Sequence, residues 1–459
     1  MLTRWVSLLL VVAGMLSGWS ARAETPQTIP SPQIPYEKHV LENGLELILH
    51  RDPRLPLVAV NVWYHVGPAN EPAGRSGFAH LFEHLMFEGS KHVKDRFDEL
   101  LEAAGATNVN GTTSWDRTNY FETVPREYLS LALWIESDRM AYLMESLDEK
   151  ALAKQRDIVL NERRETYENA PYGPSTLALY HALFAKDHPY YGAVIGSTHD
   201  IAHATLDDVR RFYERFYAPS NATLVIAGDI DPAEARGATE HFFGSLPKRS
   251  RPSVPVRATP PLTTPRRITV TEPVQLGQVS LAWVTPPAYG PEDAPLEVLA
   301  AVLAGSRATE LHHELIVERA LASEVSAYLD NNRLASTFVV SATCANGVEP
   351  AKLEAAIDGI MTRIATAGPD ATAVARAKRR LLVDLFTNLQ LLNGSGGESG
   401  RAGWLQRFNY YLGDPGHIGT YTSQLEAVTV EDLQRVARVW LRPEARATVL
   451  TIPSRAGKN

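Results

Sequence analysis

The chain of 459 residues contains one structural pattern twice, and this repeat constrains its fold more than any other feature of the sequence. The first copy comprises residues 205–209, 216–219 and 223–227, and the second comprises residues 429–433, 440–443 and 447–451. Each copy is typical of a helix, a proline turn and a terminal strand, and the two copies align without a gap. We therefore predict two homologous domains of the α+β class, each with helices packed on a largely antiparallel sheet.

The boundaries between these domains follow from composition. Residues 246–267 contain six prolines and little apolar material, which is typical of a semi-rigid linker. We therefore expect a first domain over residues 37–245, a linker over 246–267 and a second domain over 268–459, preceded by a proline-rich segment over 24–36. The only cysteine, Cys344, cannot form an internal disulfide and is predicted to be a small core residue.

The first 23 residues have the composition of a secretory signal peptide. Arg4 precedes an apolar run over residues 5–16, and Ala21 and Ala23 supply the small side chains of a cleavage site before Glu24. The apolar run is too short for a membrane span and no later segment is apolar enough, so we expect no stable membrane insertion. The mature protein is expected to be exported, to the periplasm if the organism is a Gram-negative bacterium.

The charge balance argues against nucleic acid as a partner. The chain has 45 basic and 53 acidic residues, and removal of residues 1–23 leaves 43 basic residues and a net charge of −10. A chain with this excess of acidic groups and no basic stripe is repelled by phosphate backbones. We therefore expect no nucleic-acid partner.

His80, Glu83 and His84 form the motif H-x-x-E-H in a stretch that is typical of a helix. At about 100° per residue, a helix brings the two histidines to within roughly 40° of each other, with the glutamate beside them. In this motif the histidines bind Zn²⁺, and the glutamate handles the proton of the attacking water. Burial of three polar groups among apolar neighbours such as Phe82 is costly unless a cation compensates them. The sequence therefore predicts half of a zinc site.

A catalytic zinc ion requires a third protein ligand and one open position. The charged helical segment over residues 155–165 is the best source of this ligand. On composition alone four acidic residues in or just after this segment are alternatives to one another, namely Asp157, Glu162, Glu165 and Glu168. Each of them could equally belong to a solvated helix face with ion pairs three or four residues apart.

Several further stretches resemble a known family. They are Asn110-Gly111-Thr112-Thr113, Arg117-Thr118-Asn119-Tyr120-Phe121, His188-Pro189-Tyr190 and Tyr217-Ala218-Pro219-Ser220-Asn221. With the motif at His80, they make residues 37–453 resemble the insulinase/pitrilysin family of zinc metallopeptidases, which includes the mitochondrial processing peptidase.

The resemblance implies one Zn²⁺ per chain, held by His80, His84 and Glu162, with Glu83 as the general base. It also implies a zinc-dependent endopeptidase that acts on peptides or unfolded protein segments. The two domains are expected to form half of a clamshell, which a homologous subunit completes as a homodimer or heterodimer. The family often has a second glutamate seven residues before the ligand, where this chain has Gln155. An amide can hydrogen-bond a ligand or a water there, but it adds no negative charge.

The second domain lacks the motif. When the two domains are aligned, the three motif positions are occupied by Leu296, Leu299 and Ala300, which cannot bind a metal. His312 and His313 make a poor chelate, because adjacent histidines point about 100° apart on a helix. We therefore expect this domain to form one wall of a substrate chamber.

Substrate binding is predicted to use main-chain pairing. Residues 118–124 alternate as in a strand, and we predict an edge strand that aligns an extended peptide beside the metal, with an ordinary core strand as the alternative. Asn110, Asn119 and Tyr120 are the candidate substrate-binding residues, although residues 110–115 could also form a plain turn.

The glycine-rich run at residues 393–400 raises the question of a phosphate-binding loop. It lacks the lysine and the preceding hydrophobic strand of such a loop, so phosphate binding is not expected. We predict instead a flexible joint between two helices of the second domain.

Three functions are consistent with these observations. The first is a zinc-dependent endopeptidase that is active alone, and the second is a peptidase subunit that requires a homologous partner. The third is a non-catalytic scaffold or assembly subunit, against which the intact residues His80, Glu83, His84 and Glu162 argue.

Overall fold

The computed structural model describes residues 31–94, 96–253 and 259–454. The predicted signal peptide over residues 1–23 and most of the proline-rich segment lie outside the described residues. From Gln33 onward the described residues form one compact unit. Within the described part, no helix combines the length and the apolar character that are needed to cross a membrane.

The first half contains six strands and eight α-helices among the described residues. The strands are β1 (Glu37–Val40), β2 (Glu46–Arg51), β3 (Leu57–Tyr64), β4 (Thr107–Thr113), β5 (Thr118–Pro125) and β6 (Ala222–Gly228). The helices are α1 (Phe78–Leu85), α2 (Phe97–Ala103), α3 (Leu129–Tyr142), α4 (Glu149–Arg163), α5 (Gly173–Leu183), α6 (Thr198–Ala202), α7 (Leu206–Phe216) and α8 (Pro232–Phe243). A π-helical turn, Arg164–Glu168, extends α4.

The second half contains five strands and six α-helices among the described residues. The strands are β7 (Arg266–Glu272), β8 (Gln278–Thr285), β9 (Ala322–Asp330), β10 (Ser336–Cys344) and β11 (Arg446–Pro453). The helices are α9 (Asp293–Leu303), α10 (Pro350–Ala367), α11 (Ala371–Asn388), α12 (Gly400–Leu412), α13 (Ile418–Ala427) and α14 (Val430–Trp440).

The two sheets have the same topology. The first has the strand order β1-β2-β6-β3-β5-β4 and the second has the order β7-β11-β8-β10-β9, so β2 to β6 of the first half correspond to β7 to β11 of the second. Each sheet contains one parallel pair, β2 with β6 and β7 with β11, and all other pairs are antiparallel. The predicted α+β class, with two homologous domains and largely antiparallel sheets, is confirmed.

The repeat that predicted this duplication also explains how its helices begin. Thr205 precedes α7, and its hydroxyl accepts a hydrogen bond from the N–H of Asp208 at 3.2 Å. Thr429 precedes α14 and accepts the same bond from Asp432 at 3.1 Å. In both copies the aspartate carboxylate accepts a bond from the threonine N–H in return, which completes a capping box.

Each sheet is packed against helices from both halves of the chain. Ile48 and Val225 on one face of the first sheet belong to the same core cluster as Leu405 of α12. In return, Leu179 of α5 belongs to a cluster with Val284 and Val449 of the second sheet. Because α5 and α12 occupy equivalent positions in the two halves, the halves exchange equivalent helices and bury one another's sheets.

Several predictions about individual elements can be compared with the structure. Arg266 and Arg267 belong to β7, so the last two residues of the predicted linker are part of the second sheet. Cys344 is buried, as predicted. Leu296, Leu299 and Ala300, which occupy the motif positions in the second half, lie on α9 and are buried in the apolar core.

The prediction of an edge strand over residues 118–124 is wrong. These residues form β5, which lies between β3 and β4 and is buried over nearly its whole length. The edge strand at this end of the sheet is β4, and β1 is the edge strand at the other end. The alternation in the sequence indicated a strand correctly, but it carries no information on which strands lie beside it.

The exchange of helices predicts that damage at one crossing destabilises the whole unit. Leu179 is 5% exposed, and we expect Leu179→Ala to lower the free energy of unfolding by about 2–5 kcal/mol, because it removes apolar contacts and leaves a cavity. Denaturant unfolding followed by tryptophan fluorescence and circular dichroism measures this loss. Leu55→Ala, at a side chain that is 61% exposed, is the control. Separate transitions for the two halves would contradict the exchange.

Candidate metal centre

The helix that carries the motif is fixed at its start by a carboxylate. Gly77 adopts a left-handed conformation with φ of 86° and precedes α1. The carboxylate of Glu71 accepts hydrogen bonds from the N–H groups of Gly77 and Ala79 at 2.9 and 2.8 Å. It thereby satisfies donors that have no partner within the helix. The apolar face of α1 is buried, which leaves His80 and His84 on the opposite face.

The third side chain of the site comes from α4. This helix begins after Asp148, whose carboxylate accepts the N–H of Ala151 at 2.8 Å. Near its other end, Glu162 places its two carboxylate oxygens 3.5 Å from Nε2 of His80 and 3.1 Å from Nε2 of His84. The structure thus brings together two histidines that are neighbours on one helix and a glutamate from another.

The arrangement of these donors can be compared with that of a bound metal. One ligand atom from each of His80, His84 and Glu162 lies within 4.8 Å of the others, and this is the only such group of three among the described residues. Ligand atoms around a tetrahedral Zn²⁺ with bonds of about 2.1 Å are about 3.4 Å apart. Nε2 of His80 is 3.5 Å from Oε1 of Glu162 and Nε2 of His84 is 3.1 Å from Oε2, so each histidine lies near this distance from a different oxygen of the carboxylate. The donor set therefore suits zinc.

The other acidic candidates lie elsewhere. Asp157 is exposed on α4. Glu165 accepts a hydrogen bond from Asn161, and Glu168 forms an ion pair with Arg163 at 3.6 Å. All three carboxylates are therefore exposed or engaged within their own helical segment, and none of them belongs to the metal-binding group.

The charges within the site stabilise one another. Hydrogen bonds from His80 and His84 hold the pKa of Glu162 far below its usual range, although partial burial opposes this shift. Burial by itself would lower the pKa of His80. The hydrogen bond to Glu162 and the charges of Glu83, Glu162 and Glu71 outweigh burial and raise the pKa. Both shifts show that the electrostatic potential between the imidazoles and the carboxylate favours a positive charge.

Glu83 lies beside this group and is held by β4. The hydroxyl of Thr113 donates to Oε2 of Glu83 at 2.6 Å. A Cβ at position 111 would lie 3.1 Å from Cγ of Glu83, so Gly111 permits the close approach of strand and helix. No hydrogen bond from a described residue reaches Oε1 of Glu83. This oxygen is available to accept a proton.

Gln155 does not play the predicted part. Its side chain is 4% exposed and donates from Nε2 to Oε1 of Glu88, a residue that also accepts from Lys154 at 2.9 Å. No hydrogen bond joins Gln155 to His80, His84 or Glu162 in the described structure. The amide therefore stabilises the contact of α4 with the end of the motif segment and is not a direct support for a ligand.

Two of the three residues that are predicted to bind substrate are inaccessible to solvent. Asn119 and Tyr120 lie on β5 and are both 0% exposed, so their side chains are buried in the protein interior. Asn110 is exposed on the edge strand β4. Of the three, only Asn110 is accessible to a substrate.

Glu71 and Thr113 make contacts with the motif segment that the sequence patterns do not predict. Glu71 caps the motif helix and Thr113 holds the proposed base, but each acts across a turn or a strand pairing. A carboxylate six residues before the helix-starting glycine was a local signal for the first role. The second role had no local signal, since it depends on β4 lying against α1.

Comparisons with known proteins cover both halves. The model of the insulinase family, peptidase family M16, matches residues 46–194, and the model of the peptidase M16 inactive domain matches residues 203–381. The zinc protease PqqE of Helicobacter pylori is 26% identical over 428 residues, which cover 91% of this chain and 93% of that protein. An uncharacterized zinc protease of Mycobacterium leprae is 29% identical over 424 residues, covering 89% of this chain and 90% of that protein.

The fold has a solved counterpart. The crystal structure of a protease from Helicobacter pylori superposes with a TM-score of 0.85 at 26% identity, and covers 92% of this chain and 100% of that chain. The similarity therefore extends over the two-domain architecture and is not limited to the motif.

In the metal-free protein, the contacts of Glu162 with the histidines should make stability depend on pH. The pKa of Glu162 lies below its ordinary 4.5, so its contribution is present above pH 4.5 and is lost as the pH falls. The pKa of His80 lies above its ordinary 6.5, so its contribution is present below pH 6.5 and is lost as the pH rises through the folded-state pKa. We expect chelator-treated wild type to exceed Glu162→Gln in melting temperature most strongly between pH 4.5 and 6.5.

Thermal unfolding of both proteins across this pH range provides the measurement. Glu165→Gln, which changes an exposed carboxylate on the turn after α4, is the control and should show no such window. A difference between wild type and Glu162→Gln that does not change with pH would contradict the assignment of these shifts.

Proposed function

This chain belongs to the insulinase family of peptidases, M16, and on that premise we propose that it is a zinc-dependent endopeptidase acting on peptides or unfolded protein segments. The observation that carries the proposal is the convergence of His80, His84 and Glu162 from two helices, with Glu83 beside them. Two imidazoles and one carboxylate supply three ligands and leave one position of a tetrahedral zinc site open. Three protein ligands and one open position are typical of catalytic zinc.

The residues have distinct roles in this proposal. His80, His84 and Glu162 hold one Zn²⁺ per chain, which when bound supplies a Lewis acid for peptide hydrolysis. Glu83 takes a proton from the attacking water on its free oxygen Oε1 and delivers it to the leaving amine. Thr113 keeps the other oxygen of Glu83 engaged, so that the carboxylate presents one fixed face.

The edge strand β4 is the proposed site of main-chain pairing with substrate. It pairs with β5 on one side, and it lies at the end of its sheet. An extended peptide can add to such an edge through backbone hydrogen bonds, whatever its side chains. Because Gly111 and Thr113 of the same strand contact Glu83, a peptide that pairs with β4 would be aligned beside the proposed base.

The openness of the site supports a role for a partner subunit. The side chains of His84 and Glu162 are 22% and 43% exposed, so within one chain the metal-binding group faces solvent. We propose that a homologous subunit, in a homodimer or heterodimer, closes the chamber above it. The composition of residues 1–23 supports export, with the periplasm as the destination in a Gram-negative bacterium.

The third ligand can be tested by metal analysis. We expect wild type to retain about one Zn²⁺ per chain after gel filtration and Glu162→Gln to lose most of it, because the neutral amide is a poor ligand. Glu165→Gln, three residues further along, is the matched control and should keep its zinc. Equal zinc contents in wild type and Glu162→Gln would contradict the assignment.

The general base can be tested on quenched peptides. We expect Glu83→Gln to lower kcat by about 100- to 10,000-fold while zinc content is unchanged, because it removes the proton acceptor without removing a ligand. Assays over a range of protein concentrations separate a chain that is active alone from one that requires association. Zinc bound without activity at any concentration would favour a subunit that needs a different homologous partner, or a non-catalytic scaffold.

A further inference from the structure

The glycine-rich loop, residues 393–400, connects α11 to α12 in the second half but lies against the first half. Asn61 on β3 donates to Oδ1 of Asn393 at 3.1 Å and to the carbonyl of Gly397 at 2.8 Å. Asn393 in turn donates to the carbonyl of Glu122 on β5 at 2.8 Å. The run connects two helices of the second half, as predicted, but its hydrogen bonds to two central strands of the other half argue against a flexible joint.

The glycines of this loop allow it to approach β5 closely. Gly397 has a positive φ of 64°, and a Cβ there would lie 2.6 Å from Nδ2 of Asn119 and would also overlap the ring of Phe121. Asn119 donates to the carbonyl of Gly396 at 3.0 Å. The glycine content thus serves contact with a strand rather than flexibility or phosphate binding.

The loop ends at an ion pair that joins the two halves. Glu398 contacts the guanidinium of Arg117, whose side chain is 4% exposed, whereas that of Glu398 is 37% exposed. Arg117 directly precedes β5, and its guanidinium lies 5.1 Å from the ring centroid of Trp63. Glu398 is the only acidic partner of Arg117 within 4 Å among the described residues. A buried cation of this kind is costly without its counter-charge.

Arg117 holds the hairpin between β4 and β5. Its Nη1 donates to the carbonyl of Thr112 at 2.7 Å and to Oδ1 of Asn119 at 2.7 Å. The carbonyl of Thr112 belongs to the peptide group that leads into Thr113. The orientation of that peptide group sets the position of the Thr113 hydroxyl, which donates to Glu83 at 2.6 Å.

We propose that Glu398 of the second half is a positioning residue for Glu83. Through Arg117 it fixes the peptide group between Thr112 and Thr113, and Thr113 then holds the carboxylate of the base in one orientation. The inference rests on the proposed function, and it gives the half without the metal motif a direct part in the active site. Glu398 is not one of the candidate metal ligands His80, His84 and Glu162.

The consequence is a specific kinetic signature. The base depends on the orientation of one peptide group, whereas substrate pairing uses the whole of β4, so the effect should fall mainly on kcat rather than KM. Small displacements of catalytic groups are costly, since about 1 Å can reduce the rate by about 100-fold. Loss of the Glu398 charge loosens the hairpin without removing Thr113, so a smaller effect of about tenfold is expected.

The test compares Glu398→Gln with Asp229→Asn in the full-length, zinc-loaded protein. Asp229 accepts from Arg126 at 2.7 Å just beyond the far end of β5, so this control removes the carboxylate of another ion pair flanking the same strand. On a quenched peptide we expect Glu398→Gln to lower kcat about tenfold, with KM and zinc content unchanged. Glu398→Asp, which keeps the charge, should recover part of the loss. Asp229→Asn should behave as wild type.

A second measurement does not depend on activity. In the metal-free protein, hydrogen exchange of residues 107–125 should be faster in Glu398→Gln than in wild type or Asp229→Asn. When wild type is active, the proposal is overturned if kcat of Glu398→Gln equals that of Asp229→Asn. It is also overturned if the kcat loss is accompanied by loss of zinc, because Glu398 would then act on the metal site as a whole.

The two hypotheses can fail separately. If wild type with bound zinc shows no turnover at any concentration or with any homologous partner, the proposed function fails. The exchange result then decides whether Glu398 holds the hairpin. If wild type turns over and neither kcat nor exchange responds to Glu398→Gln, the proposed function stands and the role of Glu398 is refuted.

Discussion

The crossing of α1 and α4 is the constraint on which the rest of this molecule depends. It brings two imidazoles on one helix within 3.5 Å of a carboxylate on another, in a site whose electrostatics favour a further positive charge. Apolar packing of α1 against the first sheet fixes one side of the crossing, and the carboxylate of Glu71 fixes the start of the helix. The buried apolar face of α1 thus fixes the position of the helix, and its opposite face presents the histidines of the site.

The second half keeps the topology of the first but has no metal-binding side chains at the corresponding positions. Its sheet and helices nevertheless remain tied to the first half, because α5 and α12 each cover the sheet of the other half. The glycine-rich loop adds hydrogen bonds to β3 and β5, close to the strand that holds Glu83. A domain that has lost a motif can therefore still determine the geometry of the motif in its neighbour.

The sequence predicted what depends on local pattern. The spacing of His80, Glu83 and His84 and the helix–turn–strand pattern that occurs twice each depend on residues near one another in the chain. Strand neighbours do not, so the alternation of residues 118–124 does not distinguish the central position of β5 from an edge, or the buried Asn119 and Tyr120 from surface residues. The same limit applies to the glycine-rich loop. Its composition is compatible with flexibility, but the glycine at position 397 is required by a close approach to Phe121, which is distant in sequence.

The most direct test of this account is the anomalous scattering of crystals grown with Zn²⁺, recorded on both sides of the zinc absorption edge. One strong peak per chain is expected, located between Nε2 of His80, Nε2 of His84 and the carboxylate of Glu162, with Glu83 close by but outside bonding distance. A peak at any other residues, or no peak at this position in zinc-saturated crystals, would contradict it.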